Sequence, residues 1–420
     1  MKVRIFILAL MAIVYQSCLK DSCSSDQLHY RYDPVYKTSD EIRNLEIKLS
    51  TSKDLVHPGK IYFYNNYLLI NEINEGIHVI DNTNPSAPLK VGFISIPGNL
   101  DLAIQSNILY ADNYVDLLAI DISNITAPQL KKRREEVFPA IGKDLTKGFI
   151  VGYVNSPVKL PCDAPNSFYE GDIFYSKENF AADQTRLGSS SGGTGTVPIS
   201  GIGGSMARFT IAANHLYTVD NTSMRVFQVT SPENPIFVNT INLGWGIETI
   251  FPYKDKLFIG STTGMFIFSN AIPAQPTLLS TFTHARACDP VFATDNRAYI
   301  TLRQGNNCNR ATDQLDVVDI SDLKSPKLLR SYPMFNPKGL SVTDNTLYLC
   351  DEGLKVYDVS KDLEIDDHKL SHIKGFESFD VIHLADKKVA MVVGKDGLFQ
   401  YSTSDNSNLK LLSKIPVVIK

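Results

Sequence analysis

Ile77-His-Val-Ile-Asp-Asn-Thr-Asn-Pro-Ser-Ala-Pro-Leu-Lys-Val91 reads as a β-strand, an Asp-led turn carrying two prolines, and a second strand. The β-branched flanks and the Asp, Asn and Pro between them are the chemistry of a strand pair joined by a fixed turn. The pattern returns six more times. Aligned on its first strand, the copies start at Ile77, Leu117, Met224, Met265, Leu315, Leu354 and Leu398, with spacings of 40, 107, 41, 50, 39 and 44 residues. A period of about 40–45 is the length of one four-stranded propeller blade.

Three local features hold the register. A proline stands seven residues after the end of the strand in five copies (Pro88, Pro128, Pro235, Pro276, Pro326), with Ile365 and Leu409 there in the last two. Asp81, Asp121, Asp319 and Asp358 end the strand in four copies. Such a carboxylate accepts from the N–H two residues on and fixes an Asx turn. Upstream comes Asn/Asp-x-apolar-apolar, as in Asn107-Ile-Leu-Tyr110, Asn214-His-Leu-Tyr217, Asp255-Lys-Leu-Phe258, Asn296-Arg-Ala-Tyr299 and Asn345-Thr-Leu-Tyr348. That is a tight hairpin turn entering a strand. Each unit is therefore four strands. One such sheet alone leaves a face unburied, whereas seven stacked radially cover one another. The expected fold is all-β, a seven-bladed β-propeller of four-stranded antiparallel blades over 55–417, with blades at 55–98, 99–139, 204–244, 245–284, 285–335, 336–376 and 377–417. Residues 140–203 stand outside the repeat as an insertion between blades two and three. Its Gly/Ser-rich part, 188–205, resembles a linker, with neither the Gly-Lys-Ser/Thr nor the βαβ context of a phosphate loop.

Leu117-Leu-Ala-Ile-Asp-Ile-Ser-Asn124 and Leu315-Asp-Val-Val-Asp-Ile-Ser-Asp322 resemble the LVIVD repeat of bacterial and archaeal cell-surface proteins. The copies at Met224, Met265 and Leu398 lack the aspartate and are degenerate. The resemblance implies a surface β-propeller and no reaction.

The N-terminus supplies an address. Residues 1–17 hold Lys2 and Arg4, then an apolar run from Ile5 to Val14, and read as a signal peptide. Ser17-Cys18 resembles a bacterial lipoprotein processing site, which implies cleavage before Cys18 and lipid on that residue. The upstream Val14 and Tyr15 depart from the usual pattern, and an ordinary signal peptide with a structural Cys18 is the alternative. Acyl chains would anchor the exported chain without a transmembrane helix, and an outer-membrane or cell-surface location is expected. Residues 18–54 are expected as a lipidated tether with one short ordered piece, Glu41–Leu49, as helix or strand. The net charge of −4 becomes −6 without Lys2 and Arg4, and no basic stripe exists, so nucleic acid is not an expected partner.

Blade topology sorts the loops. Connections from strand four to the next strand one share a face, the top, with the loops between strands two and three. The Asn/Asp and Asx-Pro turns occupy the bottom. Both long irregular segments, 140–203 and Arg303–Gln314, are then top-face features, where binding residues commonly sit. Cys162, Cys288, Cys308 and Cys350 are expected near the same face. Export favours disulfides, with Cys288–Cys308 preferred and Cys162–Cys350 as the second pair. No C-x-x-C occurs, and no metal site is expected. His368 and His372 have helical metal spacing but sit in a polar, Asp-rich turn.

Strand one carries a charge in each blade: Lys60, Asp101, Arg208, Glu248, Asp289, Lys338 and Asp380. Two readings fit. One is a funnel site for a charged or sugar-like ligand, with Glu248 and Asp289 as a catalytic carboxylate pair or a cation site. The other is a structural ring in which alternating signs pair, and the signs favour it. Trp245, the only tryptophan, either stacks on a ligand or wedges between blades three and four. No cofactor is expected. Function is expected as a non-enzymatic, lipid-anchored binding or scaffold module recognising protein or glycan through the top face. A funnel-site hydrolase or lyase and an accessory subunit of an envelope complex are the alternatives.

Overall fold

The computed structural model describes residues 27–160, 202–203, 205–283, 290–303 and 313–418. Among them, seven of eight sheets are built on a four-stranded antiparallel meander. Their first strands are Pro58–Tyr64, Leu102–Gln105, Phe209–Ala212, Ile247–Tyr253, Val291–Ala293, Leu340–Thr343 and Ser378–Leu384. These first strands touch one another in a closed cycle, and the last touches the first. The fold is an all-β propeller.

The bottom rim repeats atom for atom. The first residue after each third strand donates its N–H to a carbonyl in the turn between strands one and two: Asn82 to Asn66, Ile122 to Asn107, Val229 to Asn214, Asn270 to Asp255, Ile320 to Asn296, Val359 to Asn345 and Thr403 to Lys388. Asn107, Asn214 and Asn345 have φ of 64°, 57° and 59°, as the two-residue hairpin turns require. The N–H groups of Thr83, Ser123, Ser321 and Ser360 donate to Asp81, Asp121, Asp319 and Asp358 at 2.8–2.9 Å. In the first three of these turns the hydroxyl, then the N–H, of that residue holds the carboxyl below its usual range. A register shift between strands three and four recurs in every blade and adds local twist.

Neighbouring blades are tied at the same rim. The strand-two tyrosines Tyr110 and Tyr217 donate to the carbonyls of Pro232 and Pro273 in the next blade's turn. At the closing seam Met391 stands in the tyrosine position, and Gln400 and Ser413 supply the donors to Pro85 instead. Gln400 and Asn82 also exchange two buried amide hydrogen bonds of 2.7 and 2.8 Å. Backbone closure is a single parallel bridge, Leu55 to Val417. An apolar cluster including Ile61, Leu68, Met391 and Leu398 fills the seam.

Residues 27–50, expected largely as tether, are instead ordered. Gln27–Lys37 pairs antiparallel with Gly148–Leu160 of the insertion. Ser39–Arg43 is a one-turn helix whose Thr38 and Glu41 cap it reciprocally. Leu49–Ser50 then joins the outer edge of blade one. The expectation of helix or strand over Glu41–Leu49 resolves into both. Residues 1–26, with the signal segment and Cys18, lie outside the described residues.

Candidate functional site

The central channel and the top face carry the candidate residues. The channel is not free. Ile202–Gly203, the end of the insertion, adds a strand to the inner edge of blade one against Phe63 and Tyr62. Ser205 follows, fully buried. Its N–H and hydroxyl lie 3.2 and 3.4 Å from Asp380 of blade seven, and its hydroxyl oxygen accepts from the N–H of Leu340 in blade six at 2.6 Å. The Ala207 carbonyl accepts from Ile250 of blade four. Residues 202, 203, 205 and 207 thus contact blades one, four, six and seven. Of the described parts of the insertion, Phe149 and Val151 pack beside Tyr114 and Val115 at blade two's upper loop, and Ile202–Gly203 pairs with the inner strand of blade one; residues 161–201 lie outside the described residues.

Among the described residues of the charged column, Lys60, Asp101, Glu248, Lys338 and Asp380 are buried, and Lys60 pairs with Asp101. Asp101 also accepts from the backbone N–H groups of Arg208 and Phe209 at 2.7 and 3.0 Å, locking blade three to blade two. Burial drives the Lys60 ammonium far below its usual range, against the pull of the Asp380 and Asp112 carboxylates. Lys338 pairs outside the column, with Glu377 at 2.7 Å, and burial lowers its pKa too. Arg208 is half-buried and uses its backbone rather than its guanidinium for the Asp101 contact. Glu248 is buried near the start of its strand. Asp289 lies outside the described residues, as do Cys162, Cys288 and Cys308. Cys350 is a free, buried thiol, and its expected partner Cys162 lies outside the described residues.

Trp245 resolves the other way from a wedge. It is 61% exposed between Gly244 and Gly246, whose φ angles are 90° and 87°. A Cβ on Gly246 would overlap the Thr262 hydroxyl, so glycine is required for the turn that holds the indole out. Phe335, at the next-but-one blade junction on this face, is 66% exposed.

Acids at the upper ends of second strands were not anticipated as a set. Glu72 accepts from the N–H groups of Val56 and His57, Asp112 from those of Leu100 and Asp101, and Asp351 from those of Phe335 and Asn336. Each clamps the chain entering its own blade. The signal was an acid closing an otherwise apolar strand, in Leu-Leu-Ile-Asn-Glu72, Leu-Tyr-Ala-Asp112 and Leu-Tyr-Leu-Cys-Asp351. Burial pushes the Asp112 carboxyl up to about 7, against the donors from Leu100 and Asn99. Asp116, in the same blade's upper loop, gathers Arg43 at 3.1 Å and Arg133 at 3.0 Å, docking the N-terminal helix. His368 and His372 are not brought together on a metal: the first faces Glu364 and the second the Glu352 carbonyl.

Residues 100–135 and 311–333 match the LVIVD repeat. No curated protein matches the chain. Among solved structures, a protein from Lactobacillus plantarum is similar at 13% identity and a TM-score of 0.55, covering 86% of this chain and 97% of its own. The periplasmic gluconolactonase PpgL of Pseudomonas aeruginosa has 10% identity and a TM-score of 0.51, covering 86% and 96%. Sqt1 of Saccharomyces cerevisiae also has 10% identity and a TM-score of 0.51, covering 92% and 91%. At these identities the likeness is one of fold.

Proposed function

We propose that this LVIVD-repeat propeller is a non-enzymatic binding or scaffold module of the cell envelope, anchored by lipid on Cys18 and recognising a protein or glycan through its top face. What carries the reading is the contrast between the channel and Trp245. Within the channel Lys60 pairs with Asp101, and Asp380 meets Ser205. A large aromatic on a glycine-built turn is left exposed, and exposed tryptophans are favoured anchors of interfaces. A hydrolase or lyase using Glu248 and Asp289 needs a solvent-open carboxylate pair, and Glu248 is buried.

The test is crosslinking on intact cells with wild type and the Trp245→Ala, Phe335→Ala double variant, identifying captured material by mass spectrometry. The proposal expects one partner, whether soluble or part of an envelope complex, to be lost from the variant. Equal capture by both proteins overturns the top-face assignment. Loss of labelled palmitate in Cys18→Ala is expected, and retained label rejects that anchor.

A further inference from the structure

The outermost strand of each blade is a sheet edge, and an edge can take up a further strand unless something prevents it. In blades two, five, six and seven the edge is cationic. Gln129–Arg134 holds four cations from Lys131 onward, Lys327–Pro333 holds Lys327 and Arg330, Lys369–Ile373 begins with a lysine, and Lys410–Pro416 holds two. In blade one, Leu89–Ser95 is covered by the chain's own Leu49–Ser50. Charge and cover are the ordinary ways of keeping edges apart. Blades three and four have neither. Ile236-Phe-Val-Asn-Thr-Ile-Asn242 and Thr277-Leu-Leu-Ser-Thr-Phe-Thr283 carry no charge, and each ends its sheet among the described residues.

The two neutral edges differ in what their side chains do. In blade four Phe282 is buried, Leu279 packs into the core and Ser280 donates to the Leu323 carbonyl of blade five. Leu278 is the large apolar side chain that this strand leaves exposed. Blade three leaves three in succession: Ile236, Phe237 and Val238 are 46%, 49% and 40% exposed. The register shift of this blade falls at Val238, so the run that pairs evenly with strand three is Asn239–Asn242. Just beyond it the Leu243 N–H donates to the Thr222 carbonyl at 2.9 Å. Hydrogen-bonding direction alternates along an antiparallel strand, so Ile241 and Asn239 also turn their main-chain groups to strand three. The main-chain groups of Thr240 and Asn242 therefore point outward from the blade.

We infer that the outer strand of blade three pairs antiparallel with the same strand of a second copy of this chain, about a two-fold axis at Thr240. Each Thr240 gives its N–H to the other's carbonyl, Asn239 stands opposite Ile241, and Val238 stands opposite Asn242. A strand that pairs about a two-fold meets its own charges. Each cationic edge would set like charges against one another, whereas the blade three edge sets none. An acidic partner strand would be drawn to the cationic edges instead. What a neutral edge admits is a neutral strand, and Ile236–Asn242 is itself one. The contact is isologous, so it closes at two copies. It uses neither Trp245 nor Phe335 and stands apart from the reading above.

The test is sedimentation velocity on the full chain in density-matched non-ionic detergent, over a series of concentrations. The wild type should sediment as two chains. Thr240→Lys sets two lysines opposite each other at the axis and should weaken self-association at least tenfold. Thr240→Pro removes an outward N–H without adding charge and should do the same, an edge position being one where proline is tolerated. Circular dichroism and melting check that both fold, and Thr240→Lys keeps the test decisive if the proline variant does not, since lysine is the ordinary edge residue of the other blades. Leu328→Lys, on the outer strand of blade five, should leave the dimer intact. The inference is overturned if the wild type is a single chain at every concentration, which would give the edge to a different protein or to none. It is equally overturned if assembly continues beyond two copies, if the dimer survives Thr240→Lys, or if Leu328→Lys dissociates it as well.

Discussion

The two rims of the propeller are built differently. The bottom rim repeats one hydrogen bond seven times, whatever the side chain at the turn. The top rim repeats an idea rather than a motif: among the described residues, an acid clamps the entering chain in blades one, two and six, with Glu in one case and Asp in the others. Onto this looser rim the N-terminal helix docks through Asp116, and from it Trp245 projects. Geometry set by backbone groups leaves side chains free to drift, whereas geometry set by side chains ties particular residues to particular blades.

The largest expected effect tests whether the interior belongs to the framework. Lys60→Ala leaves the Asp101 carboxylate buried without its ammonium and should cost about 3–5 kcal/mol in chemical denaturation. Lys60→Met combined with Asp101→Asn should recover most of that, because an amide oxygen still accepts from Arg208 and Phe209. Asp116→Ala comes next, at about 3 kcal/mol. It should also separate the two regions: limited trypsin digestion should cut first between residues 27 and 50 while the blades stay protected. If the whole protein becomes equally labile, the N-terminal region is part of the framework rather than docked upon it.

Asp112 should show itself through pH. Its folded pKa is raised, so the stability it permits is present below the unfolded value near 3.8 and is lost as pH rises through about 7. Asp112→Asn should therefore be more stable than wild type at pH 8, by about 2 kcal/mol, with the gap closing toward pH 4. A gap that is constant with pH would mean that burial does not control this carboxyl. The smallest effect belongs to the bottom rim: Tyr110→Phe removes one donor to Pro232 and should cost about 1 kcal/mol, leaving the blade backbone bonds intact.

The bottom rim was legible because its causes are local. An aspartate reaching two residues on, an asparagine at positive φ and a proline at a fixed offset all act within a few residues. The channel was half-legible. Lys60, Asp101 and Asp380 were found by their spacing, yet their partners were not, since Ser205 meets Asp380 across 175 positions. Nothing in Gly201-Ile-Gly-Gly-Ser205 distinguishes a linker from a segment inside the ring. The strand Gln27–Lys37 was hidden for a similar reason: its alternation is weak, and its partner lies more than a hundred residues away. Trp245 could be placed at a blade junction, but its exposure goes with a turn at Gly246 that lies against Thr262, in the loop after blade four's second strand.

The segment through the ring also bears on the order of assembly. Until Ser205 is seated, the Leu340 N–H lacks the acceptor that it has in the finished molecule, so docking blade six early would bury that donor unsatisfied. Blades one and two are complete in sequence before residue 140, and the segment lies against blade one. The favourable route winds the remaining blades around a mandrel already laid down, with the Asn82–Gln400 amide pair closing last. Such long-range pairings form slowly, so the seam should be the final event in folding and the first to open.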